Sequence, residues 1–178
     1  DRGHVGGVVA EQRALLALLV LSAGKVVASE RLIDELWGSA PPVSGPAALQ
    51  VRVSQLRKAL WPEPGHGLIV TRPPGYLLQV DPDQIDGRQF ERMLAEGRAL
   101  LAEAEPERAA ATLEQALALW RGAPLADLAG EPFAQTEASR LEELRLEALE
   151  ARVEADLVLG RHGDLVAELE ALGATHPF

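Results

Sequence analysis

The 178-residue chain contains no cysteine, and that absence alone excludes disulfides, cysteine nucleophiles and thiolate metal sites. An intracellular setting fits the same absence. Aromatic residues make up only 4% of the chain, although hydrophobic residues reach 47%, so any core is built from Leu, Ala and Val. That composition favours helices over sheets. Lysine is nearly missing: Lys25 and Lys58 stand against fifteen arginines. No apolar run approaches the roughly 18–20 residues that a membrane span needs. The longest, Ala14 to Leu21, stops at Ser22 and reads as a buried helix. No GxxxxGK[ST] or GxGxxG phosphate loop is present, and His4, His66, His162 and His176 share no metal-ligand spacing. No Ser/His/Asp set stands out, so no catalytic, cofactor or metal residue is assigned and an enzyme is not expected.

The net charge of −10 is unevenly spread. Residues 1–86 carry 8 basic and 9 acidic side chains, whereas residues 87–178 carry 9 and 18. Within 44–75, Arg52, Arg57, Lys58 and Arg72 face only Glu63. Local charge decides where a phosphate backbone can sit, so the first half remains open to nucleic acid. The asymmetry also marks a boundary, with domains expected over 1–84 and 85–178.

Along the chain, residues 1–9 are Gly- and Val-rich and read as a strand remnant or a frayed end. Residues 11–22 form a Leu-rich helix closed by Gly24. Ser29 is the N-cap candidate for a helix ending at Trp37, with Leu32, Ile33, Leu36 and Trp37 on one face. Gly38 and Pro41-Pro42 end it. Pro46 opens a third helix, capped by Ser44 or Gly45 and stopped by Pro62 and Pro64. Leu49, Val53, Leu56 and Leu60 give it an apolar stripe, and Gln50, Arg52, Ser54, Gln55, Arg57 and Lys58, with Val51 among them, face the other way. Leu68–Thr71 and Tyr76–Val80 flank Arg72-Pro73-Pro74-Gly75 and read as a hairpin. Asp86 and Gln89 form a weak capping box before helices over about 87–103, 106–121, 132–159 and 164–172. Short turns and small residues (Ala109, Ala110, Ala116) suggest a tetratricopeptide-like array of helical hairpins. The last helix has no visible partner, so an array continuing past residue 178 is expected. Trp37, Trp120 and Tyr76 read as packing residues. Glu142, Glu143, Glu147, Glu150 and Glu154 read as a solvated helix face partnered by Arg145 and Arg152, with a protein-docking surface as the alternative.

Two helices, a long connection, an amphipathic helix with a basic outer face and a hairpin make a winged helix-turn-helix. Its third helix presents polar side chains to a major groove, with Arg72 on the wing. The fold class is therefore mainly α: a winged helix with a short β-hairpin wing, followed by a tetratricopeptide-like helical domain.

Three strings then carry a resemblance: Arg31–Gly38 (RLIDELWG), Ala48–Leu60 (ALQVRVSQLRKAL) and Val70–Tyr76 (VTRPPGY). In this order they resemble the Streptomyces antibiotic regulatory protein family, whose DNA-binding part is similar to the OmpR/PhoB-type winged helix. From Phe90 through Ala116–Gly122 (ALALWRG) onward, the chain resembles that family's bacterial transcriptional activation domain. The resemblance implies a sequence-specific activator of a secondary-metabolite (antibiotic) gene cluster that binds promoter direct repeats and contacts RNA polymerase. It implies DNA contact by Val51, Ser54, Gln55, Arg57 and Lys58 on the helix and by Arg72 on the wing, and the outer face adds Gln50 and Arg52. It also implies double-stranded DNA and RNA polymerase as partners, helices over 87–178 that pair protomers in a homodimer or meet RNA polymerase, and a cytoplasmic, nucleoid-associated place of action with no membrane contact. Gln55 stands where the family commonly has a basic residue, and Arg52 where it has a His. The family begins with a small sheet before the first helix, and with only residues 1–10 ahead of that helix, most of the sheet is expected to be missing here. The competing reading is a helical interaction module whose winged helix binds protein instead of DNA.

Overall fold

The computed structural model describes residues 2–61, 67–162 and Leu165, with side chains from Val9 onward. It divides into two compact units: Asp1–Ile85 with Asp127–Thr136, and Asp86–Ala126 with Glu137–Phe178. Pro62, Pro64, His66, His176 and the helix expected over 164–172 lie outside the described residues, apart from Leu165.

In the first unit, α1 (Arg2–Leu21) buries Ala14, Leu15, Leu18 and Leu19. Residues 2–10 continue this helix, where a strand remnant was one expectation. A lone strand has no edge to pair with, whereas each residue added at the N-terminus of an existing helix gains one hydrogen bond, its C=O accepting from the N–H four residues on. Gly24 follows at φ +77°, a conformation that side-chain-bearing residues rarely adopt.

A short strand, β1 (Val26–Ala28), precedes α2 (Ser29–Trp37). The N-cap of α2 is Ala28 and not Ser29; the Ser29 N–H instead donates to Pro74 O at 3.1 Å. Leu32 is fully buried, with Ile33, Leu36 and Trp37 packed against the same core. Next comes α3 (Gly45–Leu60), with Ser44 at the N-cap and Pro46 in the first turn. Its stripe buries Leu49, Val53 and Leu56, but Leu60, at the helix end, is 38% exposed.

The hairpin is β2 (Ile69–Arg72) and β3 (Gly75–Leu78), joined by a cis Pro73-Pro74 bond. The sheet is antiparallel and three-stranded, in the order β1-β3-β2, with Val27 opposite Tyr76 and Tyr76 opposite Thr71. β1 went unread in the sequence because three residues are too few to show alternation. Gly75 is required where β3 meets β1: a Cβ there would stand 1.8 Å from Val27 O. Leu15, Leu19, Leu32, Leu49, Val53, Ile69 and Leu78 form one core, and Phe133 of the returning segment packs against it.

In the second unit, α4 (Asp86–Ala102) and α5 (Pro106–Ala118) form a tight helical hairpin. They approach so closely at Gly97 that a Cβ would come within 2.5 Å of Leu113 Cγ. Asp86 begins α4 itself, and the carboxylate that caps locally is Asp81, which accepts from Asp83 N at 3.0 Å ahead of a single 3-10 turn over Pro82–Gln84. The long helix α6 (Pro132–Val158) enters this unit from Glu137 and buries Ala148, Ala151 and Ala155. Phe90 meets Trp120 edge to face at 5.4 Å, so Trp120 is a core anchor as expected. On the acidic face of α6, Glu147 pairs with Arg98 at 2.8 Å and Glu142 with Arg145 at 3.6 Å. Among the described residues no helix is long and apolar enough to cross a membrane.

Candidate nucleic-acid interface

Helix α3 carries no acidic side chain, and its buried stripe fixes which way the rest must point. Gln50, Val51, Ser54 and Lys58 are exposed, at the i, i+1, i+4, i+8 spacing of a single face. Val51 is 50% exposed, an apolar side chain offered to solvent in the middle of that face. Arg72 is exposed at the end of β2, beside the Pro-Pro turn.

The other three expected contact residues are half-buried and already partnered. Arg52 Nε donates to Glu11 Oε2 of α1 at 2.5 Å, and Arg52 Nη1 donates to Gln55 Oε1 at 3.3 Å. Gln55 Oε1 also accepts from Gln12 Nε2 at 3.2 Å. Arg57 turns toward the hairpin: Nε donates to Ile69 O at 2.9 Å and Nη2 to Thr71 Oγ1 at 3.0 Å. Its guanidinium lies 5.9 Å from the centre of the Tyr76 ring. Arg57 thus ties the outer-face helix to the wing, and Tyr76 is the packing residue it covers. Glu11 and Gln12 were missed from sequence. Their partners are 41 and 43 residues away, and no local spacing reports such pairs.

The wing is anchored at both ends. Arg72 pairs in register with Gly75, and the Pro74 carbonyl is held by the start of α2. A polar helix face, a rigid hairpin tip with an arginine and a packed helical pair behind them define a winged helix-turn-helix. With the helical unit that follows in the chain, the class is a bacterial transcriptional regulator.

Comparison with known proteins narrows this. Residues 85–178 match the family described as the bacterial transcriptional activator domain, and residues 8–78 match the family described as transcriptional regulatory protein, C terminal. The chain belongs to the Streptomyces antibiotic regulatory protein family of transcriptional regulators, proteins that are not in general enzymes. It is 43% identical over 172 residues to the regulatory protein DnrI of Streptomyces peucetius, covering 93% of this chain and 63% of that protein. It is 38% identical over 183 residues to the transcriptional regulator RedD of Streptomyces coelicolor, covering 99% and 52%. The fold is similar to that of Mycobacterium tuberculosis EmbR, solved in complex with a low affinity phosphopeptide. The TM-score is 0.89 at 34% identity, over 95% of this chain and 45% of that one. The chain thus spans between about half and two thirds of the length of these relatives.

Proposed function

We propose that this chain is the DNA-binding and helical effector part of a transcriptional activator that recognises promoter direct repeats of a secondary-metabolite gene cluster. The observation that carries the reading is the outer face of α3: Gln50, Val51, Ser54 and Lys58 exposed on an acid-free helix, with Arg72 exposed on the adjoining wing. Major-groove reading needs a rigid helix with polar and small apolar side chains, plus cations that reach phosphate. Lys58 and Arg72 suit the phosphates, and Gln50, Val51, Ser54 and Gln55 suit base edges. Arg52 and Arg57 serve mainly to hold this face in shape. The helical unit, from Asp86 onward, meets RNA polymerase or a second protomer. The place of action is the cytoplasm, on the nucleoid.

Fluorescence anisotropy on duplexes recovered from random-sequence selection, repeated over a salt series, tests this. Enrichment of a repeated motif, with log affinity falling linearly against log salt, is the expected result. No duplex binding even at low salt would refute it and favour a winged helix that binds protein.

A further inference from the structure

A polar chain at the edge of the outer face decides which end of one side-chain amide is left for a ligand. Arg52 Nη1 and Gln12 Nε2 both converge on Gln55 Oε1, at 3.3 and 3.2 Å. Carbonyl and amino ends of a glutamine look alike in outline, but a guanidinium has only donors. The Gln55 atom facing Arg52 is therefore the carbonyl oxygen; the reversed amide would set N–H against N–H. Arg52 cannot swing away freely, because Glu11 grips its Nε at 2.5 Å, in a pair whose side chains are only 20% and 27% exposed. With two donors on Oε1, both of its lone pairs are engaged. What Gln55 keeps free is its Nε2 amino group, on a half-buried residue that adjoins the exposed stripe of Gln50, Val51, Ser54 and Lys58 along the helix.

This changes what the residue can read. A free glutamine pairs with adenine in the major groove through both ends of its amide, accepting from N6 and donating to N7. Gln55 has no acceptor to offer. Two N–H donors match guanine, which presents two acceptors, N7 and O6, on the same edge. The geometry points to Gln55 as a donor-only reader of a guanine edge, with Glu11, Arg52 and Gln12 as the positioning residues that commit its amide. The inference rests on the DNA-binding reading above and adds to it the base recognised.

The test uses the whole chain and the duplex motif it selects, with each position changed in turn to all four base pairs and affinity read by anisotropy at fixed salt. One position is expected to prefer guanine over adenine by between about five- and 150-fold. Gln55→Ala levels that position alone, and 7-deazaguanine there, which lacks the N7 acceptor, weakens the wild type but not Gln55→Ala. Gln12→Leu combined with Arg52→Met frees Oε1 and moves the preference toward adenine. Circular dichroism verifies the fold, and Gln12→Leu alone is the milder release if the pair unfolds. A Gln55-dependent position that prefers adenine or thymine in the wild type would overturn the inference. So would release variants that keep the guanine preference intact, or a selected motif indifferent to Gln55→Ala while the wild type binds it. A wild type that binds no duplex overturns the DNA reading and this inference with it.

Discussion

Replacing Arg57 separates two roles that a basic residue on an outer helix face can have. If it reached only for phosphate, Arg57→Ala would leave stability almost untouched, within about 0.5 kcal/mol as for ordinary surface changes. The structure gives it two hydrogen bonds to β2, at 2.9 and 3.0 Å, and the face of Tyr76. Hydrogen bonds from a charged donor contribute about 1.5–3 kcal/mol each when buried, and a part-exposed cation–π contact about 0.5–1 kcal/mol. Ile69 is 2% exposed, so its carbonyl loses a partner where water reaches poorly, whereas the Thr71 bond is exposed and counts for little. The sum is about 2 kcal/mol. With a urea slope of roughly 1–1.5 kcal/mol/M for a unit of this size, the midpoint falls by about 1.5 M. The assay is urea unfolding followed by tryptophan emission in a Trp120→Phe background, which leaves Trp37 and Trp61, both packed on the winged-helix core, as reporters. Arg57→Lys keeps the charge but not the planar fork, and recovers less than half of the loss. A midpoint for Arg57→Ala within about 0.3 M of wild type would refute the reasoning and return Arg57 to the phosphates.

Three further outcomes are expected. Lys58→Ala and Arg72→Ala, both at exposed positions, each lower the slope of log affinity against log salt by about one while leaving the unfolding midpoint unchanged; unchanged slopes would remove these cations from the DNA. Gly97→Ala forces a methyl into Leu113 and destabilises the α4–α5 hairpin by about 1–3 kcal/mol, measured by unfolding monitored at Trp120; a neutral result would mean the two helices are free to part. Asp156→Asn removes the charge that Arg152 and Arg161 share at 2.9 and 3.1 Å around an aspartate side chain only 10% exposed. It costs about 2–3 kcal/mol, since breaking a buried pair leaves a charge poorly compensated, and calorimetry reads it as a lower Tm.

The helices were legible because their signals are local. Leu49, Val53 and Leu56 repeat at helical spacing, Pro46 and Pro106 sit in first turns, and Gly24 and Gly38 stand where the chain turns out of a helix. The hairpin was legible from its Pro-Pro-Gly turn, although its third strand was not, since Val26–Ala28 become a strand only by pairing with β3. The outer face of α3 was legible as a set of residue types, and its exposed members stand where the apolar stripe puts them. What local spacing misses is partnership. Arg52, Gln55 and Arg57 look interchangeable with Lys58 in the sequence, yet three of these four are engaged by residues on α1 or β2. Ser29 likewise looks like a cap, but a carbonyl of the distant wing turn takes its N–H, and the helix begins one residue sooner than a cap would allow.

The first unit is discontinuous, since Asp127–Thr136 returns to it after α4 and α5. A ribosome delivers the chain in one direction at roughly 5–20 residues per second. All of residues 86–132 are therefore synthesised before Phe133 can reach the core it packs against, a wait of roughly two to ten seconds at that pace. During this interval the winged-helix core lacks one of the partly buried side chains that pack against it. The same arrangement bears on where such genes can be rejoined: a crossover near codon 85 parts Phe133 from the core it packs against, whereas one beyond codon 158 keeps both the first unit and α6 whole.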